Sequence, residues 1–219
     1  MRTHPVFLRL EGRKCVVIGG DVVVEAKVDA CRAAGAEVVV IAESVTPGLA
    51  ELARTGAVTL ERRSYREGDL AGAFVVYASL RDPGTIARLR AEADRERVLL
   101  NVVDAPEACT FISPAVVTRG ELQVAVGTGG ASPGLSARVR RDLERMFGPE
   151  YAPYVAILGA VRRTLHGAPD RADVIVRLID SDLLDLVRAR EREAVDRLLA
   201  RVAGESCTLE HLGVALGEG

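Results

Sequence analysis

Apolar positions along the chain follow two regimes that change near residue 150. Before it, short Val/Ile/Leu runs alternate with helically spaced apolar residues; after it, only the helical spacing remains. The sharpest transition lies between Cys15 and Ala36. Val16, Val17 and Ile18 form a β-branched run that stops at Gly19-Gly20, and the spacing then becomes Val24, Val28, Cys31, an i, i+4, i+7 face. That pattern predicts strand, tight turn, helix, and Val38 to Ile41 adds the second strand of a βαβ unit. Thr46-Pro47 supplies an N-cap and first-turn proline for a helix from Gly48 to Arg54. Val58 to Arg62 alternates like a strand, Ser64 to Leu70 is loop-like, and Ala73 to Ala78 reads as a buried strand. Asp82-Pro83-Gly84 then opens a helix to about Arg95, and Arg97 to Val103 is the next strand. Met1 to Leu10 is expected to lie against the sheet edge.

Ala115 to Val117 and Leu122 to Val126, around the turn Arg119-Gly120-Glu121, predict a hairpin added to that sheet. Ser132 and Pro133 suit the N-cap and first position of an amphipathic helix carrying Leu135, Val139, Leu143 and Phe147 on one face. Helices are then expected at Tyr154 to Leu165, Ala172 to Ile179, Leu183 to Val202 and Thr208 to Leu216. Their apolar stripes look too large for so few helices to bury among themselves, which predicts dimerisation through this half. The fold class is α/β: a Rossmann-like, mostly parallel sheet, a small α/β dimerisation region and a helical C-terminal region. The expected domains are 1–112, 113–147 and 148–219.

Composition narrows the partners. A net charge of −2 with 4% aromatic residues and no Trp lacks the basic, ring-bearing face of a nucleic-acid binder, so a small-molecule ligand is expected. No apolar run approaches the roughly 18 residues of a membrane span and the N-terminus shows no signal-peptide core, so a cytoplasmic protein is expected. Cys15 and Cys31 fall on apolar faces and read as packing residues. Cys207 and His211 share a helical turn but lack a second ligand pair, so neither a metal cage nor a disulfide framework is expected.

Candidate chemistry sits in three places. In the dinucleotide fingerprint the first glycine makes the turn, the second admits the pyrophosphate and the third allows helix-to-strand packing; here those positions are Gly19, Asp21 and Val24. A carboxylate about 4 Å from a phosphate costs roughly 4 kcal/mol at an effective dielectric near 20, unless Asp21 points away or is neutralised. Glu43, just past the second strand, stands where such folds place a ribose-binding acid. Asn101 and Asp104 lie at a strand's carboxyl end, where open parallel sheets bind ligands; for Asp104 an Asx turn before Pro106 is the alternative. The loop Gly127 to Pro133 leads into a helix N-terminus and is either an anion site or a flexible linker.

With Asn101-Val-Val-Asp104-Ala-Pro106 and Thr128-Gly-Gly-Ala-Ser-Pro133 both present, the sequence resembles the precorrin-2 dehydrogenase and sirohydrochlorin ferrochelatase family, the N-terminal half of siroheme synthases. The resemblance runs over residues 4 to 165 and includes Val17-Ile-Gly-Gly20, Lys27, Ala34-Gly-Ala36, Asp82, Phe111-Ile112 and Pro114. It implies a homodimer that uses NAD to oxidise precorrin-2 to sirohydrochlorin, with Fe2+ insertion in some members. It also implies that Asp104 is catalytic and that Gly19, Gly20, Asp21, Val22, Val23, Glu43 and Ser44 hold the cofactor. The implied substrate residues are Asn101, Thr128, Gly129, Gly130 and Ser132. The chain departs from the family pattern on the nucleotide side, at Asp21, Val24, Leu80-Arg81 and Ile86. A member that has lost NAD binding and acts as a chelatase or tetrapyrrole-binding protein is therefore the alternative.

Overall fold

The computed structural model describes residues 2–217, and the chain forms two compact units, Met1–Ser113 with Gly129–Ala131 and Pro114–Thr128 with Ser132–Gly219. In the first unit β1 (Lys14–Ile18), β2 (Glu37–Ile41), β3 (Thr59–Glu61), β4 (Val75–Ala78) and β5 (Leu99–Val102) make one parallel sheet in the order β3-β2-β1-β4-β5. The register pairs Val16 with Val39 on one side and with Val76 on the other. Both faces are covered. Val16, Ile18, Val76, Ala78, Leu100 and Val102 face α3 (Pro83–Glu96) through Leu89 and Ala93. Cys15, Val17 and Val75 face α1 (Val22–Ala33) and α2 (Pro47–Arg54) through Val24, Val28, Cys31 and Leu49. Burial on two faces explains why these strands read as continuous apolar runs.

The helix boundaries follow their caps. Asp21, Thr46 and Asp82 each accept a first-turn amide, and Pro47 and Pro83 follow the last two at the first helical position. The N-terminal segment does not behave as expected. Residues 2–9 are exposed, Val6 and Phe7 among them, and only Leu10 is buried. This segment leads into β1, the central strand, whose two flanks β2 and β4 already fill, so no open edge lies beside it. Met1 lies outside the described residues.

In the second unit β6 (Ala115–Arg119) and β7 (Leu122–Val126) pair antiparallel, Val117 opposite Val124. They form a two-stranded sheet of their own, which corrects the expectation that the hairpin extends the main sheet. Its apolar face is taken up by α4 (Pro133–Met146), and the Arg119 side chain ties the hairpin to that helix through Glu144 O and to Phe147 O just beyond it. On α4 the expected apolar face is only partly covered: Val139, Leu143 and Phe147 are half-buried, whereas Leu135 is exposed.

The remaining helices are α5 (Tyr151–Thr164), α6 (Arg171–Ile179), α7 (Leu183–Ala189), α8 (Arg192–Ala203) and α9 (Leu209–Leu212). The helix expected from Leu183 to Val202 is two, because Arg190 adopts the left-handed conformation (φ +60°) and lets α8 fold back onto α7. The last helix is a single turn, closed by Gly213 at φ +64°. Much of their apolar stripes is buried internally: Ile157, Val161, Val174, Leu178, Leu183, Val187, Val195, Leu198, Leu199 and Leu209 form one core, while Val155, Leu158, Leu165 and Leu184 are partly buried and Val176 and Ile179 are exposed. The fold-back at Arg190 accomplishes this by bringing Val187 and Val195 to the same interior. No helix among the described residues is long and apolar enough to cross a membrane.

Candidate functional site

Strand order reverses between β1 and β4, the point at which open parallel sheets bind ligands outside the carboxyl ends of their strands. A cleft of about 730 Å³ opens there, lined among others by Asp21 and Val23 from α1, Ser79, Leu80 and Arg81 after β4, Ile86 and Arg90 from α3, and Asp104 after β5. Asp21 and Asp104, adjacent to different strands, thus line one cleft.

The turn that starts α1 is built around glycines. Gly19 has φ +118°, and a Cβ there would stand 3.0 Å from Ser79 O and 3.2 Å from Val24 Cγ2. Gly19 therefore makes the room that lets Val24, buried in the place of a third glycine, pack closely. Gly20 passes against Ser44, whose carbonyl a Cβ would overlap, and Thr46 N donates to Gly20 O at 3.0 Å.

Asp21 does not point away. Its Oδ1 accepts from Val23 N (3.0 Å) and Val24 N (2.9 Å), and its Oδ2 accepts from Ser79 Oγ (2.6 Å). The Ser79 hydroxyl, then the Val24 amide, hold its carboxyl below the usual range, with Val23 N and the nearby Arg81 charge contributing less. Val22 is exposed at the helix tip. Glu43 does not line the cleft; it lies past the end of β2 and accepts from Ser64 Oγ, and Ser44 follows it against Gly20.

Asp104 is exposed and sits at φ +59°, a left-handed conformation that Asp tolerates better than most residues. Its carboxylate makes no hydrogen bond or ion pair among the described residues, so it is not spent on an Asx turn. The turn is held instead by Cys109, whose Sγ accepts from Val102 N (3.2 Å) and lies 3.3 Å and 3.4 Å from Val102 O and Ala105 O. Sequence reasoning missed Cys109, which carries no motif. Asn101 turns to the other face of the sheet, donating to Phe111 O at 3.0 Å, and does not line the cleft.

The loop before α4 is ordered by its own hydroxyls. Ser132 N donates to Thr128 Oγ1 (3.1 Å), Thr128 Oγ1 donates to Ser132 O (3.1 Å), and Ser132 Oγ caps Leu135 N (3.2 Å). Gly129 (φ +62°) and Gly130 (φ +83°) are both left-handed, a backbone that turns consecutive amides to one side. Among the described residues no group of His, Cys, Asp and Glu is arranged to hold a metal ion.

Comparison with known proteins agrees with this architecture. Residues 6–115 match the family model described as putative NAD(P)-binding, and residues 119–146 match that of the sirohaem biosynthesis protein central segment. The chain is 38% identical over 151 residues to the siroheme synthase of Nitrosococcus oceani, covering 69% of this chain and 32% of that protein. It is 33% identical over 206 residues to the siroheme synthase of Thioalkalivibrio sulfidiphilus, covering 92% of this chain and 42% of that one. The chain thus spans well under half the length of these relatives. A solved structure of SirC, a precorrin-2 dehydrogenase, superposes with a TM-score of 0.70 at 24% identity, covering 89% of this chain and all of that one. That likeness concerns the fold.

Proposed function

Because the chain belongs to the putative NAD(P)-binding family that forms the N-terminal part of siroheme synthases, we propose that it oxidises precorrin-2 to sirohydrochlorin with NAD+. The observation that carries this is Asp104: an unpaired, exposed carboxylate at the switch-point cleft, held by a left-handed turn. Two features support a dinucleotide there: the turn at Gly19 and Gly20, where the backbone packs too closely for a side chain, and the acid Glu43 just past β2, which would exchange its bond from Ser64 Oγ for one from an adenosine ribose.

The dinucleotide, when bound, supplies the hydride acceptor. Asp104 is the base that takes the proton lost from the macrocycle as the hydride departs; the substrate gives up one hydride and one proton, and the carboxylate leaves the step protonated. The left-handed turn fixes where that carboxylate stands, which is the positioning part of the barrier reduction. For the carboxylates of the macrocycle, the amides of Gly129, Gly130 and Ala131 are the donors, since the Thr128 and Ser132 hydroxyls are engaged within the loop. The protein works as a homodimer, supported by the apolar residues left uncovered on the hairpin and α4, Val116, Leu135 and Met146.

Turnover of precorrin-2 with NAD+, followed by absorbance, tests this. Wild type turns over and Asp104→Ala does not; a wild-type protein that leaves precorrin-2 unoxidised at saturating NAD+ refutes the proposal. A second reading, insertion of Fe2+ into sirohydrochlorin without a redox step, is favoured by one observation, the carboxylate of Asp21 on the α1 amides. It predicts chelation by a chain that does not bind NAD+.

A further inference from the structure

The cleft is short of donors for an anion. Two helices begin at its rim, and each has closed its own N-terminus with an aspartate: Asp21 accepts from Val23 N and Val24 N on α1, and Asp82 accepts from Thr85 N (2.7 Å) and Thr85 Oγ1 (2.7 Å) on α3. Two of the first-turn amides that a dinucleotide fold offers to a pyrophosphate, Val23 N and Val24 N, are thus occupied by an internal anion, and Ser79 Oγ is occupied by the same one. A phosphate brought to that point faces a carboxylate, a cost of about a thousandfold in affinity at 4 Å.

Two cations line the cleft, Arg81 and Arg90. Arg90 is committed, with Nε on Asp94 Oδ2 (2.9 Å) and Nη1 on Ala108 O (3.1 Å). Arg81 is exposed, and its guanidinium makes no hydrogen bond or ion pair among the described residues. It stands between Ser79, which bonds Asp21, and the cap Asp82, on the four-residue link from β4 to α3. A guanidinium presents two parallel donors to a phosphate and is the residue type suited to holding one where backbone amides are missing.

We propose that in this chain the pyrophosphate of the dinucleotide is held by the guanidinium of Arg81 and not by the Val23 and Val24 amides of α1, which the carboxylate of Asp21 has taken. The inference rests on the cofactor assignment above and relocates its anchor. The Arg81 guanidinium makes no hydrogen bond or ion pair among the described residues, so its removal leaves the fold intact and, apart from a weaker electrostatic hold on the Asp21 carboxyl, reports on the ligand.

NAD+ titration of the full chain by calorimetry tests this with Arg81→Ala, Arg81→Lys, Asp21→Gly and the double variant Asp21→Gly/Arg81→Ala. Arg81→Ala weakens NAD+ at least tenfold with unchanged thermal unfolding, and Arg81→Lys, a point charge without the fork, falls between. Asp21→Gly frees the amides and tightens NAD+, and in that background loss of Arg81 costs less than in wild type. If wild type binds NAD+ and Arg81→Ala binds it equally well, the proposal is wrong while the cofactor assignment stands. If wild type fails to bind and Asp21→Gly binds, Arg81 does not serve as the anchor and nucleotide use has been lost from the natural chain. If neither binds, both the anchor and the cofactor assignment fall.

Discussion

Ser79 Oγ donates a 2.6 Å hydrogen bond to Asp21 Oδ2, joining the end of β4 to the first turn of α1 across the switch point. The same carboxylate caps the helix through Val23 N and Val24 N, so one side chain fixes the geometry of both walls of the cleft. Removing the cap and its cross-link by Asp21→Ala costs about 1 kcal/mol at neutral pH. The carboxyl is held below its usual range in the folded chain, so its contribution is present above the unfolded value and is lost as pH falls through the carboxylate range. The difference in urea midpoint between wild type and Asp21→Ala therefore narrows below about pH 4. A gap that stays constant or widens on acidification contradicts this.

Glu92 is a buried carboxylate, 1% exposed, on an otherwise polar stretch of α3. It accepts from the Tyr65 hydroxyl, from Gly68 N (2.9 Å) and from Leu70 N (3.0 Å), and so pins the segment after β3 under the sheet. Glu92→Ala strands a buried amide at Leu70 and is expected to cost about 3 kcal/mol, whereas Tyr65→Phe removes one bond and costs about 1 kcal/mol. Urea denaturation of both measures the ranking. Equal losses would mean that the amides find other acceptors.

Leu199 is fully buried in the core of the helical unit, with Leu178, Leu183 and Val187 in the same core. Leu199→Ala is expected to cost about 2–5 kcal/mol, by lost transfer energy and by the cavity left behind. Because the stripe is internal, the loss is the same at low and high protein concentration. A penalty that grows on dilution would put the side chain at an interface between copies.

These helices also mark where the sequence stopped being legible. The βαβ unit was readable because Val16 to Ile18 and Gly19-Gly20 carry local signals, and Thr46-Pro47, Asp82-Pro83 and Ser132-Pro133 announce helix starts by their own chemistry. The break after Ala189 has no glycine or proline to announce it; Arg190 is left-handed, and Val187 and Val195 on either side of it are buried in one core. The hairpin was visible from Gly120, but which sheet it joins depends on partners far away in the chain. At the site, the position of Asp104 was evident from its place after β5. The meaning of Asp21 was not, because its partner Ser79 lies 58 residues away. The substrate role assigned to Asn101 remains a proposal that must accommodate its bond to Phe111 O on the other face of the sheet. Cys109 left no trace, since a thiol that clamps a turn through backbone bonds follows no spacing rule.

Asp104 separates chemistry from stability within one residue. Its carboxylate has no partner among the described residues, so Asp104→Asn removes charge and basicity while leaving the turn as it is, and the thermal midpoint should not move. On the proposed role of Asp104, loss of the general base lowers turnover by about 10²–10⁴-fold. Asp104→Gly removes the same carboxylate and also relieves the left-handed backbone, which favours glycine. It is expected to be as slow as Asp104→Asn but more stable, by roughly 0.5–1 kcal/mol, since the strain of a side chain at φ +59° disappears. Precorrin-2 turnover and thermal unfolding of the two variants side by side measure both quantities. A stable Asp104→Gly protein that retains turnover would move the base elsewhere in the cleft, and Glu107, on the short turn beyond Asp104, would be the next carboxylate to replace.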